Sequence, residues 1–198
     1  MPPTCRWHFD RAFLRLIGSV VSTGYTSDRM SPATGVGHRR THKTTKRNLN
    51  RMQVQTTRFG TVEVDDGRII EFPTGLLGFS SYTQYALLQP DDDGLFFWLQ
   101  STEAPELAFV VTDPATWVPD YQATVRKEQM DDLSLETLET AQTFVIVNKY
   151  DQTLTVNLQG PIIVNLGNHE AMQLVLADKR WTTRHEIVRL TSQERLTA

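Results

Sequence analysis

The fold is decided by the stretch Gly94-Leu-Phe-Phe-Trp-Leu-Gln-Ser-Thr-Glu-Ala-Pro-Glu-Leu-Ala-Phe-Val-Val-Thr-Asp-Pro114. It contains two short apolar runs, residues 95–99 and 107–111, which are rich in aromatic and β-branched side chains. Both runs are too short for an ordinary helix and are bounded by glycine or proline, so they predict two strands. Because they are almost continuously hydrophobic, we expect both of their faces to be covered. The stretch therefore predicts a central hairpin in a closed or wrapped sheet.

Short strand patterns continue upstream of this hairpin. The run Asp65-Asp66-Gly67 separates two of them and predicts a tight type I′ turn, which needs positive φ at its central residues. Residues 72–79 combine one proline and two glycines with large apolar side chains, which predicts a loop that closes one end of the core. The upstream strand predictions are residues 54–59, 61–64, 68–72 and a strand within 82–89.

Downstream of the hairpin, residues 125–138 predict one or two short helical turns, and the remaining patterns are again those of strands. Strands are predicted at residues 143–148, at 173–177, and twice within 153–165, where Gly160-Pro161 indicates an edge or a bulge. A polar tail follows. About eight to ten short strands with frequent turns predict an all-β fold, a small antiparallel β-barrel or sandwich.

The charge of the chain is divided between two segments. Residues 1–51 carry ten Lys or Arg and two Asp, a net charge of +8, whereas residues 52–198 carry a net charge of −11. The first segment buries too little apolar surface to offset the entropy lost on ordering, so we predict a disordered basic extension followed by one domain over residues 52–198. Two interpretations of the extension stay open. It is an arm that contacts nucleic acid, or it is not translated because the protein starts at Met52.

Composition and motifs argue against several classes of function. The only cysteine is Cys5, which suits a reducing cytoplasm, and no run approaches the roughly 20 apolar residues that span a bilayer. Residues 52–198 contain His169 and His185 and no cysteine, so a His/Cys metal cluster is impossible there, although a mixed His and carboxylate site stays open. No nucleophile elbow, phosphate loop or dinucleotide fingerprint occurs. We therefore expect no enzyme, no cofactor and no metal.

An acidic domain of this kind favours contact with other proteins. A net charge of −11 speeds encounter with a basic partner and repels nucleic acid. We expect the folded domain to bind neither nucleic acid nor a membrane. We also expect its protein contacts to weaken as salt is added.

Four motifs stand in a specific order and spacing along residues 54–190. They are Phe72-Pro-Thr-Gly-Leu-Leu-Gly-Phe79, Trp98-Leu-Gln-Ser101, Leu107-Ala-Phe-Val-Val-Thr-Asp-Pro114 and Asn157-Leu-Gln-Gly-Pro-Ile-Ile-Val-Asn165. Together they resemble the flagellar assembly factor FliW family. The chain departs from the family pattern at Leu77, where proline is common, and at Gly160, where alanine is common. The basic extension has no counterpart in the family.

The resemblance implies a small cytoplasmic β-barrel that binds two proteins. One is flagellin, and the other is CsrA, a basic RNA-binding dimer that represses translation. Free flagellin would occupy the factor, and export of flagellin would release it to sequester CsrA and so restore flagellin translation. The acidic balance of residues 52–198 fits the basic partner.

The expected partner-binding positions are exposed polar side chains around the central hairpin and in the acidic stretch after it. They are Gln100, Ser101, Glu103, Glu106, Asp131 and Asp132. The alternative is that these positions are merely solvated loop residues. A rival function, a small-ligand or flavin-binding β-barrel protein, would require a polar pocket with converging side chains.

Overall fold

The computed structural model describes residues 51–89 and 95–190, and its regular structure is almost entirely β. The strands are β1 Arg51–Thr56, β2 Gly60–Asp65, β3 Ile69–Glu71, β4 Gln84–Leu88, β5 Phe97–Ser101, β6 Ala108–Thr112, β7 Ala141–Tyr150, β8 Thr153–Val156, β9 Ile162–Asn165, β10 Ala171–Gln173 and β11 His185–Arg189. Among the described residues, one short helix, α1, spans Lys127–Asp132, and 3-10 turns occur at Asp66–Arg68, Pro114–Thr116 and Leu138–Thr140. The predicted all-β class with little helix is confirmed. The predicted disordered extension lies outside the described residues, except for its last residue. That residue, Arg51, is the first residue of β1.

In the described part of the chain, nine strands form one antiparallel sheet, and β1 and β2 form a separate hairpin. The main path runs in the order β10, β9, β7, β6, β5, β4, β3, while β8 pairs with β7 and β11 pairs with β8. The two ends of the path meet at one isolated parallel bridge between Glu71 and Glu170, where the Glu71 amide donates to the His169 carbonyl at 3.0 Å. We call this point the seam. The sheet therefore returns on itself as in a barrel, but no ladder closes it within the described residues.

The predicted central hairpin is the pair β5 and β6, with Phe97 opposite Val111. Alternate residues of the hairpin enter two different apolar clusters. Leu99 packs with Phe72 in one cluster, whereas Trp98 packs with Val147 in the other. Each fully buried side chain of this size contributes about 1.5–3 kcal/mol by leaving water. Coverage of both faces, as the continuous hydrophobicity predicts, is confirmed.

Strand β7 is the longest and holds the sheet together along its length. Its first half pairs with β9, Ala141 lying opposite Asn165, and its second half pairs with β8. The turn from β8 to β9 contains Gly160 and Pro161, so the predicted edge or bulge at this dipeptide is wrong. Because Pro161 precedes β9, its missing amide removes no ladder hydrogen bond.

The loop of residues 72–79 contributes to the core as predicted. Phe72 and Leu76 are buried, and the Phe79 ring meets the Phe109 ring edge-on at 5.1 Å. The backbone turns here at Gly75 and Gly78, whose φ angles are +68° and +84°. Glycine adopts such angles at no steric cost because it has no Cβ atom.

The predicted hairpin at Asp65-Asp66-Gly67 is wrong. Residues Asp66–Arg68 form a 3-10 turn, and Gly67 is not among the residues with positive φ, which a type I′ turn requires. As a result, β2 pairs with β1 alone, and β3 pairs with β4.

The end of the domain also differs from the prediction. The predicted strand at residues 173–177 is only partly present, because β10 ends at Gln173. The expected polar tail contains β11 and the core residue Trp181, which is 9% exposed. The residues of β11 do not alternate between apolar and polar, because the register of the strand shifts between Glu186 and Val188. The sequence therefore does not show the pattern of a strand here.

Candidate protein-binding surface

Two of the expected binding residues are buried, which corrects the expectation that they are exposed. Gln100 and Ser101 at the end of β5 both have 0% exposure. The Gln100 Nε2 lies 3.0–3.3 Å from four carbonyl oxygens in the β5–β6 connection. The Ser101 Oγ accepts from the amides of Glu103 and Ala104. Both side chains therefore shape the connection from inside, and a partner resting on the surface would not touch them.

The turn between β1 and β2 braces the same connection from outside. The Thr57 amide donates to the Pro105 carbonyl at 3.0 Å, and the Arg58 Nη1 donates to the Glu106 carbonyl at 3.4 Å. The Arg58 guanidinium also lies 4.9 Å from the centre of the Trp98 ring, and its burial lowers the pKa of Arg58. The β5–β6 connection is thus held in place on two sides.

This support leaves the carboxylates of the connection exposed. Glu103 and Glu106 are exposed, and the Thr83 Oγ1 donates to the Glu103 Oε1 at 3.4 Å. At the seam, Glu71 accepts from the Gln84 Nε2 at 3.2 Å. Within residues 51–89 and 95–190, neither connection carboxylate has an ion-pair partner.

The seam brings together two glutamates that sequence reasoning missed, Glu71 and Glu170. They form the isolated bridge, although they lie at opposite ends of the domain sequence. No local pattern could have found this juxtaposition, because it exists only once the sheet returns on itself.

The second acidic group lies at the end of α1. Asp131 and Asp132 are exposed, while Leu133 and Leu135, immediately beyond them, are buried in the core. The Asn165 Nδ2 donates to the Leu133 carbonyl at 2.8 Å and so anchors the end of the helix to β9. The two carboxylates therefore sit on a fixed support.

Residues 51–89 and 95–190 contain no group of three or more His, Cys, Asp or Glu that could hold a metal ion. No described helix is long and apolar enough to cross a membrane. A surface cavity of about 340 Å³ lies beside β2 and the end of β4, lined by Phe59, Val62, Glu63, Val64, Asp65, Arg68, Leu88 and Gln89.

Comparison with known proteins gives the family. The model of the FliW protein family matches residues 53–187 of this chain. The chain belongs to the FliW family. The flagellar assembly factor FliW of Geobacter sulfurreducens is 40% identical over 136 residues, which cover 68% of this chain and 85% of the relative. The flagellar assembly factor FliW of Alkaliphilus metalliredigens is 37% identical over 140 residues, which cover 69% of this chain and 86% of the relative.

A solved structure supports the same assignment. The crystal structure of a flagellar assembly factor FliW aligns with a TM-score of 0.64 at 28% identity, over 69% of this chain and 97% of that chain. Family membership makes this a protein of flagellar assembly. In this FliW chain, the two positions expected to depart from the family pattern differ in setting, because Leu77 is 58% exposed and Gly160 is buried against the Asn157 side chain.

Proposed function

We propose that this FliW chain is a cytoplasmic protein that binds flagellin and CsrA and so couples the amount of free flagellin to its translation. Free flagellin occupies the chain, and its export frees the chain to sequester CsrA. The observation that carries the proposal is the match of the FliW family model to residues 53–187. The chain acts by holding proteins and performs no catalysis.

The distribution of charge supports a basic partner such as CsrA. We propose that the partner contacts Glu103 and Glu106 on the β5–β6 connection, and Asp131 and Asp132 at the end of α1. Gln100 and Ser101 contribute indirectly, because they hold the connection in shape. The carboxylates of α1 lie at the negative end of the helix dipole, where they do not favour the helix, so a role in binding accounts for them better than local stability.

The test is a calorimetric titration of the full chain with purified CsrA and, separately, with purified flagellin, each at low and at high salt. We expect both proteins to bind, and we expect CsrA to bind more weakly at high salt. Absence of binding by both proteins would reject the function.

Charge-neutralised variants locate the surface. Exposed carboxylates contribute about 0.2–1 kcal/mol each, so the double variants Glu103→Gln/Glu106→Gln and Asp131→Asn/Asp132→Asn should lower CsrA affinity about 2- to 30-fold. The matched control is Glu63→Gln/Asp65→Asn, because both carboxylates are already paired with Arg51. Equal affinities for the control and the test variants would place the surface elsewhere and leave the function intact.

A further inference from the structure

A second groove lies beside the extended segment that follows β10. It has a volume of about 190 Å³ and is lined by Thr124, Arg126, Gln129, Leu174, Val175, Leu176, Ala177 and Asp178. We call it the edge groove. It involves none of the carboxylates assigned above to a basic partner.

The backbone beside the edge groove has free hydrogen-bonding groups. The amides of Leu174 and Leu176 donate to the carbonyls of Pro161 and Gln159 at 2.8 and 2.9 Å. Successive backbone groups of an extended chain point to opposite sides, so the amides of Val175 and Ala177 point away from these bonds. Within the described residues, neither amide has a backbone partner. Although the segment lies beyond the end of β10, it thus presents an unpaired backbone edge.

This edge lacks the protection found on the β1–β2 hairpin. There, the charged side chains of Arg51, Glu63 and Asp65 form ion pairs, and charges of this kind discourage pairing with another chain. Residues 174–177 read Leu-Val-Leu-Ala, and the Val175 side chain is 66% exposed. An uncharged, unpaired edge with an exposed β-branched residue favours the addition of an extended strand.

The charges around the groove indicate the chemistry of its occupant. Asp178 is already neutralised by Arg180, whose Nη2 lies 2.6 Å from the Asp178 Oδ2. Arg126 lines the groove, is exposed, and has no ion-pair partner among residues 51–89 and 95–190. The groove therefore offers one available positive charge beside an apolar edge.

We propose that the edge groove binds an extended segment of a partner protein by strand addition. The segment pairs with the backbone of Val175 and Ala177, places an apolar side chain against Val175, and places a carboxylate near Arg126. This inference goes beyond the proposed function, because it assigns a site to an acidic, apolar segment rather than to a basic protein. The two sites would allow two partners of opposite charge to bind separate surfaces.

The test uses a random decapeptide library displayed on phage and selected against the full chain. We expect enriched peptides that alternate apolar residues, carry Asp or Glu and lack proline. Synthesised peptides should lose about 2- to 13-fold in affinity when one amide facing the edge is N-methylated, since a lost hydrogen bond costs about 0.5–1.5 kcal/mol, and the methyl group should obstruct pairing further. N-methylation of the alternate amides is the matched control, because those amides point away from the edge.

Variants of the chain complete the test. Val175→Asp and Ala177→Pro should each abolish peptide binding while the far-UV circular dichroism stays unchanged, and Arg126→Glu should change the selected peptides from acidic to basic. Because Val175 lies on the surface, Val175→Asp should leave the fold intact. It therefore tests the proposal even if Ala177→Pro disturbs folding. The proposal is overturned by a library without binders, by binders indifferent to Val175→Asp and Arg126→Glu, or by a dimer in sedimentation that Val175→Asp dissociates, since a second copy would then be the occupant.

Discussion

Replacement of Gly75 by alanine should destabilise the domain far more than the same replacement at Gly78. Both glycines lie in the loop of residues 72–79 and have positive φ, +68° and +84°, so each alanine incurs a cost of about 1–2 kcal/mol for the left-handed conformation. A Cβ at Gly78 would have nothing within 4 Å. A Cβ at Gly75 would lie 2.5 Å from the Ser80 Cα and 2.9 Å from the Phe79 carbonyl oxygen.

The extra cost at Gly75 follows from the kind of atom that the Cβ meets. Backbone atoms cannot rotate away as a flexible side chain can, so the loop must shift, and overpacking of this kind costs about 1–3 kcal/mol. We therefore expect a loss of about 2–5 kcal/mol for Gly75→Ala and about 1–2 kcal/mol for Gly78→Ala.

Urea unfolding followed by tryptophan fluorescence measures the difference. Both variants should keep the denaturant dependence of the parent chain, so that the midpoints report stability directly. In thermal unfolding, each kcal/mol should lower the Tm by about 2–4 °C for a chain of this size. The steric reasoning would be refuted if the two variants lost the same stability, or if Gly78→Ala lost more.

Three further predictions concern other parts of the domain. Gln100→Met should destabilise the chain by about 1–3 kcal/mol in urea unfolding, because the buried carbonyls of the β5–β6 connection lose their donor, whereas Gln53→Met at an exposed position of β1 should have little effect. Trp181→Ala should cost about 3–5 kcal/mol, and Lys179→Ala almost nothing; a small loss for Trp181→Ala would mean that the residues after β10 are not part of the core. Hydrogen bonds from Arg180 lower the pKa of Asp178 below the ordinary value of 3.8, so the stabilisation from this pair should be complete above pH 3.8 and disappear as the pH falls through the folded-state pKa. Carboxyl NMR titration of Asp178 should show this pKa rising in Arg180→Gln, and an unchanged pKa would contradict the assignment to Arg180.

Patterns that local chemistry controls were predicted well from the sequence. The hairpin of β5 and β6 was predictable because its two apolar runs are continuous, whereas a strand with one buried face would alternate apolar and polar residues. The loop of residues 72–79 was predictable from its glycines. The turn at Asp65-Asp66-Gly67 was not predictable in this way, because the main sheet captures β3 and leaves β2 to β1. Tertiary pairing here overrides a strong local preference.

The exposure of the expected binding residues was harder to predict than the fold. Glu103, Glu106, Asp131 and Asp132 are exposed as expected, but the polar side chains of Gln100 and Ser101 are buried. A polar residue type does not reveal whether the backbone offers it partners inside the protein. In this chain, the carbonyls of the β5–β6 connection offer such partners to Gln100. The proximity of Glu71 to Glu170 depends on the course of the whole sheet and leaves no local signature.

The seam has a consequence for the motions of the domain. Parting β3 from β10 breaks the backbone bond from Glu71 to His169 and the nearby bond from the Leu77 amide to the Gln173 Oε1, whereas parting β5 from β6 breaks a whole ladder. Local opening of the sheet should therefore start at the seam, at low free energy and without global unfolding. In deuterium exchange, the Glu71 amide should lose its protection long before the amides within β5 and β6.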